Sequence, residues 1–71
     1  MTYALTNEEK IAIITGQTRQ IVYSKYTLEV QLLVENAVAT PNETRISEIN
    51  SEIARCEAQI AVLANEIESL S

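Results

Sequence analysis

Apolar residues in the second half of the chain recur at alternating intervals of three and four positions. This spacing places them on one face of an α-helix, and such a sustained repeat is typical of a coiled-coil seam. The opposite face of the same segment is polar. The pattern predicts a long amphipathic helix over about residues 41–70 whose seam consists of Ile46, Ile49, Ile53, Cys56, Ile60, Leu63, Ile67 and Leu70.

The first half of the chain predicts a helix with two apolar stripes. The first stripe is expected to pack on the seam of the second helix and contains Ile14, Ile21, Leu28 and Leu32. The second stripe lies a quarter-turn or more away and contains Val22, Tyr23, Tyr26, Val30, Leu33 and Val34. An amphipathic helix needs an apolar arc of a little over ~100°, and this helix has about twice that. We therefore expect the second stripe to be a self-association or partner interface; partial burial of its tyrosines within one chain is the alternative.

Two Thr-x-x-Glu motifs predict where the helices begin. Thr6 and Glu9 match a capping box, and Thr40 and Glu43 match a second one with Pro41 at the first helical position. These caps predict helix 1 over about residues 7–38, a turn at 39–40 and helix 2 over about 41–70. Two long helices with a short connection predict an all-α fold: an antiparallel helical hairpin forming one domain over residues 1–71. We expect self-association to assemble it into a multi-helix bundle.

The size of the chain strengthens the expectation of self-association. Domains below roughly 70–80 residues rarely obtain more than ~3–5 kcal/mol from one core and often depend on disulfides, metals or oligomerisation. The single cysteine excludes an intrachain disulfide, and the chain has no histidine for a zinc-type ligand set. We therefore expect no metal and no cofactor. Cys56 is predicted to be a buried structural residue, because a reactive thiolate needs a nearby cation and some exposure.

The net charge limits the kinds of partner that the chain is expected to bind. Ten glutamates against five Lys and Arg give a net charge of −5, which argues against direct nucleic-acid binding because phosphates require clustered basic residues. Acidic residues stand near the start, where a signal peptide carries basic ones, and the longest apolar runs are too short to span a bilayer. We expect neither secretion by a signal peptide nor membrane insertion. A charged partner, if present, is expected to be a basic protein.

Antiparallel folding should bring four glutamates together at the open end of the hairpin, namely Glu8, Glu9, Glu66 and Glu68. The interpretation we favour is a solvated charged end. A docking point for a basic partner, or a loose divalent-cation site, is the alternative.

Two positions inside the first helix depart from its pattern. Lys25 lies near the seam and is expected to pair with Glu52 and Glu57 across the hairpin, which would set the register. Gly16 should weaken the helix by up to ~1 kcal/mol relative to alanine, and a kink or a close helix contact there is the alternative.

The sequence contains no phosphate-binding glycine loop and no nucleophile–base set, so it predicts a non-enzymatic protein without catalytic residues. Its "LTNEEKIAII" start, tyrosine-bearing middle, "VEN" before a Pro-Asn turn and Ile-rich second helix resemble short helical-hairpin proteins encoded by tailed phages of marine bacteria. The resemblance implies a phage-encoded protein located in the virion or the host cytoplasm. Such a protein would be either a small virion or assembly component, or a factor that binds a host enzyme or transcription component.

Overall fold

The computed structural model describes residues 3–71, so the first two residues of the predicted 1–71 domain lie outside the described residues. The chain forms two α-helices that pack against each other, α1 (Asn7–Asn36) and α2 (Glu43–Leu70). The all-helical hairpin is thereby confirmed. The predicted bounds were two residues too generous on either side of the connection, because α1 ends at residue 36 instead of 38 and α2 begins at 43 instead of 41.

A reciprocal capping box starts α1. The Thr6 hydroxyl oxygen accepts a hydrogen bond from the Glu9 backbone N–H at 3.1 Å, and Glu9 Oε1 accepts one from the Thr6 N–H at 2.9 Å. Thr6 itself has an extended backbone, with φ −71° and ψ 162°. Two donors that a helix start leaves without partners are satisfied in this way.

The predicted cap of α2 is wrong. Asn42, and not Thr40, is the N-cap, because Asn42 Oδ1 accepts the hydrogen bond from the Arg45 N–H at 3.1 Å. Glu43 is the first residue of the helix and does not close a capping box. Asparagine is at least as good an N-cap as threonine. The Asn42 N–H also donates to Glu35 Oε1 at 3.4 Å, which ties the start of α2 to α1.

Polar contacts between the helices lie at both ends of the hairpin and fix one antiparallel register. At the open end, Asn7 Nδ2 donates to the Leu70 carbonyl at 3.2 Å. Near the connection, Arg45 Nη2 donates to Gln31 Oε1 at 3.0 Å.

The predicted role of Lys25 in setting the register is wrong. Its ammonium lies 3.6 Å from Glu29 Oε1, one turn along the same helix, and within residues 3–71 it pairs with neither Glu52 nor Glu57. The Lys25 stem occupies a half-buried position between the helices. A lysine in such a place carries its charged end out to water, where the i+4 glutamate is the nearest acceptor.

The interface between α1 and α2 is thin. Ile49, with 1% of its surface exposed, is the only fully buried side chain among residues 3–71. The other members of the predicted seam are half-buried, namely Ile14, Ile21, Leu28, Leu32, Ile46, Ile53, Cys56, Ile60, Leu63, Ile67 and Leu70.

The hairpin is a rod measuring 63 × 17 × 15 Å. Its radius of gyration is 16.9 Å, against roughly 11 Å for a compact domain of this length. Its accessible surface is 5555 Å², whereas a folded monomer of this mass exposes roughly 4400 Å². A single hairpin therefore leaves about a quarter more surface in water than a compact protein of its size.

Candidate functional site

The candidate site is an exposed apolar face on the C-terminal half of α1, which we call the α1 patch. Exposure of its side chains runs from 39% at Val30 to 78% at Tyr23. All six residues of the predicted second stripe belong to it, namely Val22, Tyr23, Tyr26, Val30, Leu33 and Val34. The two tyrosines are among its most exposed members, so the chain does not cover their rings by itself.

The helical repeat explains why α2 cannot reach this patch. At 3.6 residues per turn, the half-buried residues of α1 form one line along the helix that faces α2. This line consists of Ile11, Ile14, Thr18, Ile21, Lys25, Leu28, Leu32 and Glu35, and half-buried Glu29 lies beside it, one turn after Lys25. The α1 patch forms a second line on the far side of the same helix. One helix, α1, therefore carries two apolar faces, and α2 covers only the first.

The two tyrosine rings determine the surface shape of the α1 patch. One shallow depression lies between the rings and Val30, with Thr27 and Gln31 completing its walls. The Thr27 hydroxyl already donates to the Tyr23 carbonyl at 3.0 Å, and Gln31 Oε1 already accepts from Arg45. Since these polar groups have partners, a ligand that fills the depression meets chiefly apolar surface.

A second depression lies on the other side of the same rings and is lined by Arg19, Val22, Tyr23 and Tyr26. Arg19 is exposed. Within residues 3–71 its side chain forms neither an ion pair nor a hydrogen bond. A cation without a partner therefore stands at the N-terminal border of the α1 patch.

The open end of the hairpin is acidic. Glu8 and Glu9 lie in the first turn of α1, and the last turn of α2 contains no basic residue. The pKa of Glu9 is lowered, first by the hydrogen bond from the Thr6 backbone N–H and then by the Thr6 hydroxyl, so this carboxylate keeps its charge to lower pH. Over residues 3–71, no group of three or more His, Cys, Asp or Glu side chains is placed to hold a metal ion.

Sequence reasoning placed Lys25 near the seam but missed two other polar members of the line that faces α2. Thr18 and Glu35 continue its three-and-four spacing, but a search for apolar residues passes over them. The Thr18 hydroxyl donates to the Ile14 carbonyl within the helix at 2.8 Å, whereas Glu35 Oε1 accepts from the Asn42 N–H at the start of α2. The regular spacing was the signal that would have found them.

Cys56 is a free, half-buried thiol in the α2 seam. In the part of the chain that the structure describes, neither helix contains a stretch apolar enough to cross a membrane. Comparison with known proteins found no matching family model, no similar curated protein and no similar solved structure.

Proposed function

We propose that this chain is a non-enzymatic structural protein: a self-associating α-hairpin that serves as a small component of a phage particle or of its assembly. The α1 patch is the observation that carries self-association, because six apolar side chains lie exposed on a protein with a single fully buried residue in its described part. The phage context rests on the sequence resemblance described above.

The energetic case follows from the areas involved. Full burial of one such side chain contributes roughly 1.5–3 kcal/mol, and the α1 patch offers six. A small core supplies only ~3–5 kcal/mol. Even partial burial of the α1 patch against a second copy would therefore add substantially to the stability of the folded chain.

The polarity of α2 favours a closed assembly. Its outer face is exposed and charged, as Glu48 and Arg55 illustrate. If α1 lies between its own α2 and a second hairpin, the polar faces of both copies of α2 remain in water. An isologous contact of this kind uses the same patch twice and leaves neither copy of the patch free for further growth.

The experiment that tests self-association is sedimentation of the isolated protein at micromolar concentration. We expect a dimer or a higher oligomer with full helical content. A well-folded monomer over the same range would contradict the proposal. Mass spectrometry of purified phage particles tests whether the chain is a component of the particle. We expect to find it there at a stoichiometric copy number.

The acidic open end supports a second candidate function, namely a phage-encoded regulator that binds a basic surface of a host enzyme or transcription component. In that case the α1 patch and the glutamates at the open end would both contact the host protein. This candidate predicts a monomer in isolation and no copies in purified particles, so the same two measurements separate it from the first.

A further inference from the structure

We propose that two hairpins pair antiparallel through their α1 patches, with Val30 near the two-fold axis and Arg19 of each copy about one turn beyond the C-terminal end of the other copy's α1. This inference rests on the self-association proposed above and specifies its geometry. The occupant of the α1 patch is thus a second copy of this chain in one orientation.

The area of the α1 patch supplies the larger part of what a stable dimer needs. The exposed parts of its six side chains add up to roughly 500–700 Å², since a whole tyrosine side chain accounts for ~150–250 Å². Specific interfaces bury about 800 Å² on each partner. The exposed residues Ala37 and Val38 extend the patch toward the connection and supply part of the remainder.

The spacing of the patch allows it to pair with its own reversed copy. Its central line passes through Val22, Tyr26, Val30, Leu33 and Ala37. When a second α1 is laid antiparallel over this line, Val22 lies opposite Ala37 of the other copy and Tyr26 lies opposite Leu33. Along this line the large Tyr26–Leu33 pair then lies between two smaller pairs, Val22–Ala37 and Val30–Val30.

Electrostatic interactions favour the antiparallel dimer over the parallel one. The last turn of α1 contains no basic residue of its own to offset the partial negative charge of its terminal carbonyl groups. Arg19 lies one turn beyond Val22 and has no partner in its own chain within residues 3–71. In the antiparallel pair it comes level with residues 40–41 of the other copy, about 6 Å along the axis beyond the last residue of that copy's α1. The terminal carbonyl groups of α1 point toward this side, where a cation is stabilising.

A parallel pair would lose this contact and gain repulsion. Arg19 would face Arg19, and the two acidic open ends would lie side by side with all eight glutamates close together. In the antiparallel pair the two open ends point in opposite directions along a rod 63 Å in length for each hairpin. That separation exceeds the screening length of about 8 Å at physiological ionic strength several times over.

Disulfide cross-linking of the intact chain distinguishes the two orientations. In a Cys56→Ala background, Val30→Cys is expected to form a covalent dimer on mild oxidation. Val22→Cys alone and Ala37→Cys alone should each stay monomeric on a denaturing gel, because two copies of either thiol lie roughly 22 Å apart along the axis. An equimolar mixture of these two variants should cross-link. A parallel pair gives the opposite pattern, with Val22→Cys and Ala37→Cys each linking to itself, and that result would overturn the inference.

Arg19→Glu provides a second test that leaves the native cysteine in place. The antiparallel pair predicts a dimer dissociation constant raised at least ~3-fold, because an anion replaces the cation at two helix ends. The parallel pair predicts no such weakening, because the substitution replaces one like-charge contact between the two copies with another. A monomeric wild type in sedimentation would refute the proposed self-association itself, whereas a dimer with the wrong cross-links or an Arg19→Glu dimer as tight as the wild type would refute only the orientation.

Discussion

Replacing Tyr26 with glutamate should dissociate the assembly, whereas the same change at Val62 should leave it intact. The two positions are matched in accessibility, since Tyr26 is 67% exposed and Val62 is 66% exposed in the lone hairpin. Tyr26 lies at the centre of the α1 patch, and Val62 lies on α2. A glutamate therefore has the same opportunity to reach water in each hairpin, and only the interface distinguishes them.

The magnitude follows from the exposed ring. Two-thirds of a tyrosine side chain is roughly 100–170 Å², and burial of about half of that area contributes ~1–2 kcal/mol per copy at ~25 cal/mol per Å². A symmetric dimer loses this amount twice, or ~2–4 kcal/mol, which weakens association about 30- to 1,000-fold. An unpaired carboxylate in a desolvated contact adds to the loss.

Sedimentation velocity over a dilution series measures both dissociation constants, and circular dichroism checks that each variant keeps its helices. Val30→Glu serves as a second disrupting variant on the same line of α1. Equal dissociation constants for the wild type and Tyr26→Glu would show that the α1 patch is not the self-association surface. An equally strong effect of Val62→Glu would show that the added charge, and not its place, causes the dissociation.

Four further predictions concern the hairpin itself. Asn42→Ala should lower the free energy of unfolding by ~1 kcal/mol through the lost cap, while Thr40→Ala should change it by less than ~0.5 kcal/mol; the reverse order in denaturant titrations would refute the placement of the cap. Gly16→Ala should raise stability by up to ~1 kcal/mol, because a Cβ there meets no atom within 4 Å, and a lower melting temperature would contradict this. The pKa of Glu9 lies below its ordinary value of 4.5, so its contribution to folding is present above that value and is lost as pH falls through the folded-state pKa. The melting temperatures of the wild type and Glu9→Gln should therefore converge on acidification. A difference that stays constant with pH would contradict this role of Glu9. Cys56 should react with a thiol reagent more slowly in the native protein than in denaturant, and equal rates would place it outside the seam.

The two helix starts show how far local sequence rules reach. At the start of α1, Thr6 and the adjoining Asn7 are both cap candidates, and the structure forms the capping box of Thr6 and Glu9. The segment around Pro41 offers two overlapping candidates, Thr40 and Asn42, and both satisfy the local rules. The choice between them coincides with a tertiary contact, since the Asn42 N–H reaches Glu35 on the other helix. Periodicity alone contains no information about that contact.

In the candidate site, too, features that depend on the helical repeat could be predicted from the sequence, whereas features that depend on tertiary contacts could not. The excess of apolar residues on α1 was readable from the sequence, because it depends only on the helical repeat. The ion-pair partner of Lys25 could not be predicted from the sequence, because the direction of a flexible side chain depends on how deeply its stem is buried. Arg19 was overlooked for a related reason, since a single arginine gains meaning only when its neighbours, and its lack of an ion pair within residues 3–71, are known.

The position of Ile49 has a consequence for the order in which the chain folds. This residue lies in the second turn of α2, beside the connection, so the most protected contact is also one of those that are close together in sequence. Short loops close at the least entropic cost, and contacts between nearby residues form fastest. The hairpin is therefore expected to fold from the connection toward the open end. Because the α1 patch occupies the same half of the molecule, the surface that recruits a second copy becomes ordered before the acidic end does.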